Sequence, residues 1–134
     1  MYPKFRTLFL MILRVTLLNS ALAGEVVIVG AEFQSSGANQ WSVDVTLRHA
    51  DTGWEHYADN WQVVDAQGKV LGDRVLYHPH ADEQPFTRSL AGVNIPAGVT
   101  TVFITAHDKK HGWSRQRLLV DLSKADSGRL RVEK

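Results

Sequence analysis

Short runs in which apolar and polar residues alternate recur along the chain after residue 24. The clearest is residues 40–49, which has apolar side chains at Trp41, Val43, Val45 and Leu47 and polar ones between them. Because successive side chains of a strand point to opposite faces, this run predicts a half-buried β-strand. No stretch after residue 24 keeps apolar residues at helical spacing over the length of a helix.

Eight such runs are separated by turn residues about every ten positions. They are residues 25–33, 40–49, 60–66, 69–77, 86–94, 99–107, 113–122 and 129–133. The pattern predicts an all-β domain, an immunoglobulin- or fibronectin-III-like two-sheet sandwich of seven to eight antiparallel strands, with Trp41 and Trp61 as its bulkiest core residues. A small closed barrel is the alternative.

The first 23 residues have the features of a signal peptide rather than of the fold. Lys4 and Arg6 give a basic start, residues 8–18 are mostly apolar, and Ala21-Leu22-Ala23 is a small-x-small cleavage site. We therefore expect a signal peptide over 1–23, a domain over 24–134 and a periplasmic or secreted protein. The apolar run is too short for a stable membrane anchor, and no cysteine follows the cleavage site to carry a lipid.

The composition of residues 24–134 excludes several classes of partner. Three of the fifteen basic residues lie in the predicted signal peptide. Residues 24–134 therefore contain twelve basic and fourteen acidic residues, and their net charge is −2. No surplus of Lys and Arg is available for nucleic acid or for an anionic membrane surface. The chain has no cysteine, so its stability comes from packing and hydrogen bonds without disulfides. We expect a monomer.

All six histidines lie in three of the predicted connections, residues 49–59, 78–85 and 107–112. If consecutive strands run up and down, these connections open at the same end of the sandwich, which we call the loop end. They contain His49, His56, His78, His80, His107 and His111. The same loops hold Asp51, Glu55, Asp59, Asp82, Glu83 and Asp108. This grouping makes the loop end the candidate site.

The spacing of His78 and His80 is the sharpest chemical signal. In an extended segment both rings point to the same side, and Pro79 stiffens the backbone between them. Two such imidazoles can bind zinc or copper(II). We therefore expect His78 and His80 to be two ligands of a metal ion. A further ligand would be His107, His111, His49 or His56, and Asp108 or Glu83 would orient the rings. The alternative is that His78 and His80 only bond backbone in an ordered loop.

A second candidate surface combines aromatic and arginine side chains, which binding sites favour. Its members are Trp54, Tyr57, Trp113, Arg115 and Arg88. Such a surface would suit a protein or glycan partner without any metal. For Arg88, the alternative is a structural ion pair with Glu83 or another loop carboxylate.

Catalytic motifs are missing from the sequence, so we do not expect an enzyme. There is no G-x-S-x-G, no H-E-x-x-H, no G-x-x-x-x-G-K and no cysteine nucleophile. The sequence therefore predicts an exported binding domain of unknown process, with a possible zinc or copper site. The alternatives are a metal-free protein- or glycan-binding module and a structural envelope domain.

The run LYHPHADEQPFTRSL, with GWEHYADNWQVVDAQGKVLG before it and AHDKKHGW after it, carries a resemblance. It is similar to an uncharacterised family of small exported bacterial β-sandwich domains, over most of residues 40–122. The Y-H-P-H to E-Q-P-F-T-R run is the most distinctive part. The resemblance implies export and a sandwich fold, and it assigns no activity to any residue.

Overall fold

The structure is a computed structural model that describes residues 24–134. The predicted signal peptide, residues 1–23, lies outside the described residues. Within 24–134, nine β-strands and one short 3-10 turn at Leu122–Lys124 are present. The strands are β1 Val27–Gly37, β2 Gln40–Arg48, β3 Ala58–Asp65, β4 Val70–Val75, β5 Phe86–Asn94, β6 Thr101–Asp108, β7 Gly112–Trp113, β8 Leu118–Asp121 and β9 Arg129–Glu133.

The strands form two antiparallel sheets, which confirms the predicted sandwich. One sheet has the order β5-β2-β1-β9, and the other has the order β4-β3-β6 with both β7 and β8 paired to β6. The chain crosses between the sheets four times, from β2 to β3, from β4 to β5, from β5 to β6 and from β8 to β9. This is the connectivity of an immunoglobulin-type sandwich, with β9 added beside the first strand.

One predicted strand, residues 113–122, is divided into β7 and β8. The first piece pairs His107 with Trp113, and the second pairs Ile104 with Leu118. The residues between them leave the ladder because Gln116 turns toward β1, where its Oε1 accepts from the Ile28 amide at 3.0 Å and its Nε2 donates to the Ile28 carbonyl at 2.9 Å. The Gln116 side chain thus links the two sheets, and this contact accounts for the break between β7 and β8.

The core lies between the sheets and is built from the apolar positions of the alternating runs. Val43, Val45 and Leu47 are fully buried on β2, as their alternation predicts. Trp61 on β3 is also fully buried, while Trp41 is half-buried and meets Phe33 edge to face. Within the described residues, both sheets contribute buried apolar side chains to one core cluster. No helix in this part of the chain is long and apolar enough to span a membrane.

We predict that Trp61→Ala lowers the free energy of unfolding by about 3–5 kcal/mol, because it leaves a cavity in the core. Trp54→Ala is the matched control, since the Trp54 side chain is 65% exposed and its loss should change stability by no more than about 0.5 kcal/mol. Urea denaturation followed by circular dichroism measures both. Equal effects of the two substitutions would contradict the assignment of the core.

Candidate metal centre

The three histidine-bearing loops meet at the loop end, and the buried carboxylate of Asp51 joins two of them. Asp51 Oδ1 accepts from His49 Nδ1 at 2.5 Å and from the Ala58 amide at 3.0 Å, and its Oδ2 accepts from the His80 amide at 2.7 Å. The side chains of Asp51 and His49 are fully buried. The carboxylate thus fixes both ends of the β2–β3 loop and the middle of the β4–β5 loop.

Gln84 adds a second link between these two loops. Its Oε1 accepts from the His49 amide at 2.9 Å, and its Nε2 donates to the His80 carbonyl at 2.9 Å. Both ends of one amide side chain are therefore used to hold the backbone of the two loops together. His49 is positioned through its own ring by Asp51 and through its backbone by Gln84.

Four side chains at the loop end form a group that can hold a metal ion. His49, His56, Asp108 and His111 each offer one donor atom, and these atoms all lie within 4.8 Å of one another. Asp108 is the centre of the group. Its Oδ2 lies 3.9 Å from His49 Nε2, and its Oδ1 lies 3.3 Å from His56 Nε2 and 3.1 Å from His111 Nδ1.

The Asp108 carboxylate is held in place by its own turn. Its Oδ1 accepts from the backbone amides of Lys110 at 2.9 Å and His111 at 2.7 Å. Burial alone would raise the pKa of Asp108, but hydrogen bonds from these amides and from the His111 ring outweigh it and lower the pKa. The group is therefore an ionised carboxylate at neutral pH, which suits a cation.

Two buried side-chain atoms that could bind the metal lack hydrogen-bond partners among the described residues. They are Asp108 Oδ2 and His56 Nε2. A buried polar atom is ordinarily hydrogen-bonded, and one without a partner calls for an explanation. The two atoms both face the group of candidate ligands, so a bound cation would satisfy them.

His49 has the arrangement of a metal ligand supported by a carboxylate. His49 Nδ1 lies 2.5 Å from Asp51 Oδ1, and a carboxylate on the far nitrogen is the usual support of a metal-binding histidine. His49 Nε2 lies 3.9 Å from Asp108 Oδ2 and 2.8 Å from the carbonyl oxygen of Gly24, which can only accept a hydrogen bond. A metal ion at Nε2 would therefore have to replace this hydrogen bond, and the contact places the start of the described chain beside the cluster.

The other three predicted histidine ligands lie outside the four-residue group. His78 is exposed, with its Nδ1 3.2 Å from the Pro79 carbonyl. His80 stacks on Phe86 with ring centroids 4.2 Å apart, and burial, with the charges of Arg88 and His78, lowers its pKa. His107 Nδ1 bonds Asp59 Oδ1 at 2.5 Å, and its ring meets Trp113 at 4.9 Å.

The residues of the predicted aromatic and arginine surface differ in their exposure and partners, and the Trp54 and Tyr57 rings meet edge to face with centroids 6.0 Å apart. Trp54 is 65% exposed and Trp113 is 47% exposed, but Tyr57 is buried, with only 6% of its surface exposed. Arg115 pairs with Glu25. Arg88 donates to Glu83 Oε1 at 2.9 Å, which is the structural ion pair that we considered as its alternative.

Residues 24–134 therefore form a β-sandwich domain with a histidine and aspartate cluster at one end that could hold a metal. Comparison with known proteins finds a relative in Halomicrobium mukohataei, described as "Putative lipoprotein", that is 41% identical over 97 residues. The match covers 72% of this chain and 47% of the relative, so the chain spans about half the length of the curated relative it matches. No protein-family profile matches the chain, and no solved structure matches it.

We predict that Asp51→Asn lowers the free energy of unfolding by about 2–3 kcal/mol, because it weakens charge-assisted hydrogen bonds at a buried site. Asp82→Asn in the β4–β5 loop is the matched control, because Asp82 is exposed. Guanidinium denaturation measures both variants. If Asp51→Asn were as stable as the control, the carboxylate would not be what joins the loops.

Proposed function

We propose that this protein is an exported β-sandwich domain that binds one divalent transition-metal ion at the loop end. The ligands are His49, His56, His111 and Asp108, and Asp51 orients the His49 ring from behind. The observation that carries the proposal is the convergence of four donor atoms within 4.8 Å around a buried carboxylate. Neither His78 nor His80 belongs to this set.

The distances in the cluster show that side-chain rotations are required to form a tetrahedral site. Zinc ligands at about 2.0–2.1 Å from the ion lie roughly 3.4 Å from one another, whereas the four donor atoms lie within 4.8 Å of one another. Asp108 Oδ1 lies 3.1 Å from His111 Nδ1 and 3.3 Å from His56 Nε2, and the other oxygen, Oδ2, lies 3.9 Å from His49 Nε2. The His56 and His111 side chains are 18% and 33% exposed, so they have room to adjust.

The donor set indicates the class of metal. Three imidazoles and one carboxylate suit zinc or copper(II), whereas calcium and magnesium require mainly oxygen ligands. The ionised Asp108 carboxylate also partly neutralises the charge of the ion. The proposal is therefore a nitrogen-rich zinc or copper(II) site.

Export is supported by the predicted signal peptide and by the relative. A protein described as a lipoprotein is expected to be exported and associated with an envelope. The 134-residue sequence contains no cysteine, so it offers no thiol to which a lipid could be attached. Because of the predicted signal peptide and the relative's description, we propose an exported domain. The resemblance to small exported bacterial sandwich domains agrees with that location.

A metal-free module that binds a protein or a glycan is the second candidate function. The exposed indoles of Trp54 and Trp113 favour it, since exposed aromatic side chains are frequent in recognition surfaces. The buried position of Tyr57 and the ion pair of Arg88 leave this surface with fewer members than the sequence predicts. The metal site has the stronger geometric support.

We predict that residues 24–134 bind zinc or copper(II) with micromolar or tighter affinity and with one ion per chain. Separate His56→Ala and His111→Ala substitutions should weaken binding by at least about tenfold, because each removes one ligand. His78→Ala and His107→Ala are the matched controls outside the cluster and should leave the affinity unchanged. Isothermal titration calorimetry measures affinity and stoichiometry, and circular dichroism checks that each variant is folded.

Binding weaker than tens of micromolar, roughly 6 kcal/mol, would reject the metal site and favour the metal-free module. Loss of binding in His78→Ala but not in His56→Ala would also contradict the proposed ligand set. It would favour the H-x-H pair that the sequence first suggests.

A further inference from the structure

We infer that the amino group released by cleavage between Ala23 and Gly24 is an additional ligand of the same metal ion. This inference rests on the proposed metal site and deepens it. It links two features that have separate origins. One is the small-x-small signal before Gly24 in the sequence, and the other is the position of Gly24 between two candidate ligands in the structure.

Gly24 lies against His49 and His111. Its carbonyl oxygen is 2.8 Å from His49 Nε2, the nitrogen that faces the cluster. A Cβ atom placed on Gly24 would lie 2.6 Å from His111 Cε1 and 3.4 Å from His111 Nδ1, the nitrogen beside Asp108. The backbone nitrogen is about 2.5 Å from such a Cβ, so it lies no more than roughly 6 Å from His111 Nδ1.

The first anchored residue follows Gly24 closely, so the amino terminus has little freedom. Val26 is only 2% exposed. The amide and the carbonyl of Ile28 are both hydrogen-bonded to the side-chain amide of Gln116. Between Gly24 and Val26 there is only Glu25, whose carboxylate accepts from the Arg115 amide at 3.3 Å. A new terminus at Gly24 would therefore stay beside the cluster, and little ordering is required for it to bind.

Cleavage changes the chemistry of the Gly24 nitrogen. In the intact chain it is an amide whose lone pair is delocalised into the preceding carbonyl, so it is a poor ligand. After cleavage it is a primary amine, protonated in the free protein, which gives up one proton to solvent when it binds the metal. The amine and the carbonyl oxygen of the same residue can then close a five-membered chelate ring on the ion.

The residue type at position 24 fits this role. A Cβ at this position would lie 2.6 Å from His111 Cε1, so the His111 ring would have to shift. Glycine allows the backbone to approach both imidazoles. The added nitrogen favours copper(II), which prefers nitrogen-rich tetragonal sites and forms the most stable complexes among the divalent ions of the first transition row. The complete site would therefore exist only in the processed, exported chain.

The test compares two proteins that differ by one residue at the amino terminus. The first is residues 24–134 with a free amino group on Gly24, and the second is the same chain preceded by one alanine. The extension converts the Gly24 nitrogen to an amide and moves the amino group by one residue. Each is titrated with copper(II) in competition with a chromogenic chelator, and the copper(II) complex is recorded by electron paramagnetic resonance. Thermal melting checks that both proteins are equally folded.

We expect the extension to weaken copper(II) binding by at least about threefold and to change the spectrum, because one nitrogen ligand is lost. Identical spectra from the two proteins would overturn the inference, whatever the affinities. If both proteins bind with the same spectrum, the proposed four-residue site stands and only the amino-terminal ligand is rejected. If neither protein binds copper(II) or zinc, the proposed function itself fails.

Discussion

The buried carboxylate of Asp51 is the interaction on which the loop end depends. A charge removed from water is costly unless hydrogen bonds compensate for it, so its partners cannot be lost singly without a large penalty. Its two oxygens accept from the His49 ring and from the backbone amides of Ala58 and His80. One side chain thus fixes the beginning and end of the β2–β3 loop and attaches the β4–β5 loop to it.

This constraint explains why the candidate site has one rigid and two adaptable imidazoles. The His49 side chain is fully buried, with one nitrogen on Asp51 and the other 2.8 Å from the Gly24 carbonyl oxygen and 3.9 Å from Asp108 Oδ2. His56 and His111 are partly exposed and contact the buried Asp108 carboxylate. Asp108 is in turn fixed by the amides of its own turn. A metal ion would therefore meet a preformed side made by His49 and Asp108, and the other two rings could close on it.

The sequence predicted the sheets well because alternation reports directly on which face of a strand is buried. Val43, Val45 and Leu47 show this on β2. It did not predict the break between β7 and β8, because that break depends on Gln116 bonding the backbone of β1, a contact between residues 88 positions apart. Alternation carries no information on contacts between the two sheets.

The candidate site could be predicted only in part for a similar reason. Topology placed all six histidines at one end, but it could not tell which rings face one another. The His78 and His80 rings do lie side by side, with centroids 4.6 Å apart, as the H-x-H spacing predicts. His80 also stacks on Phe86, and neither histidine belongs to the four-residue group. Two local signals were available: His49 and Asp51 are two residues apart, and Asp108 and His111 are three apart, so each pair forms a carboxylate–imidazole contact within one turn. Gly24 carried no such signal, because its proximity to His49 is a tertiary contact.

We propose that three of the six imidazoles bind one metal ion. Nitrogen-15 NMR of the histidine side chains, recorded on residues 24–134 with and without one equivalent of zinc, distinguishes the six rings. We expect the ring nitrogens of His49, His56 and His111 to move to metal-bound shifts while those of His78, His80 and His107 do not. Metal-bound shifts at His78 and His80, or no change at any of the six rings, would contradict the proposal.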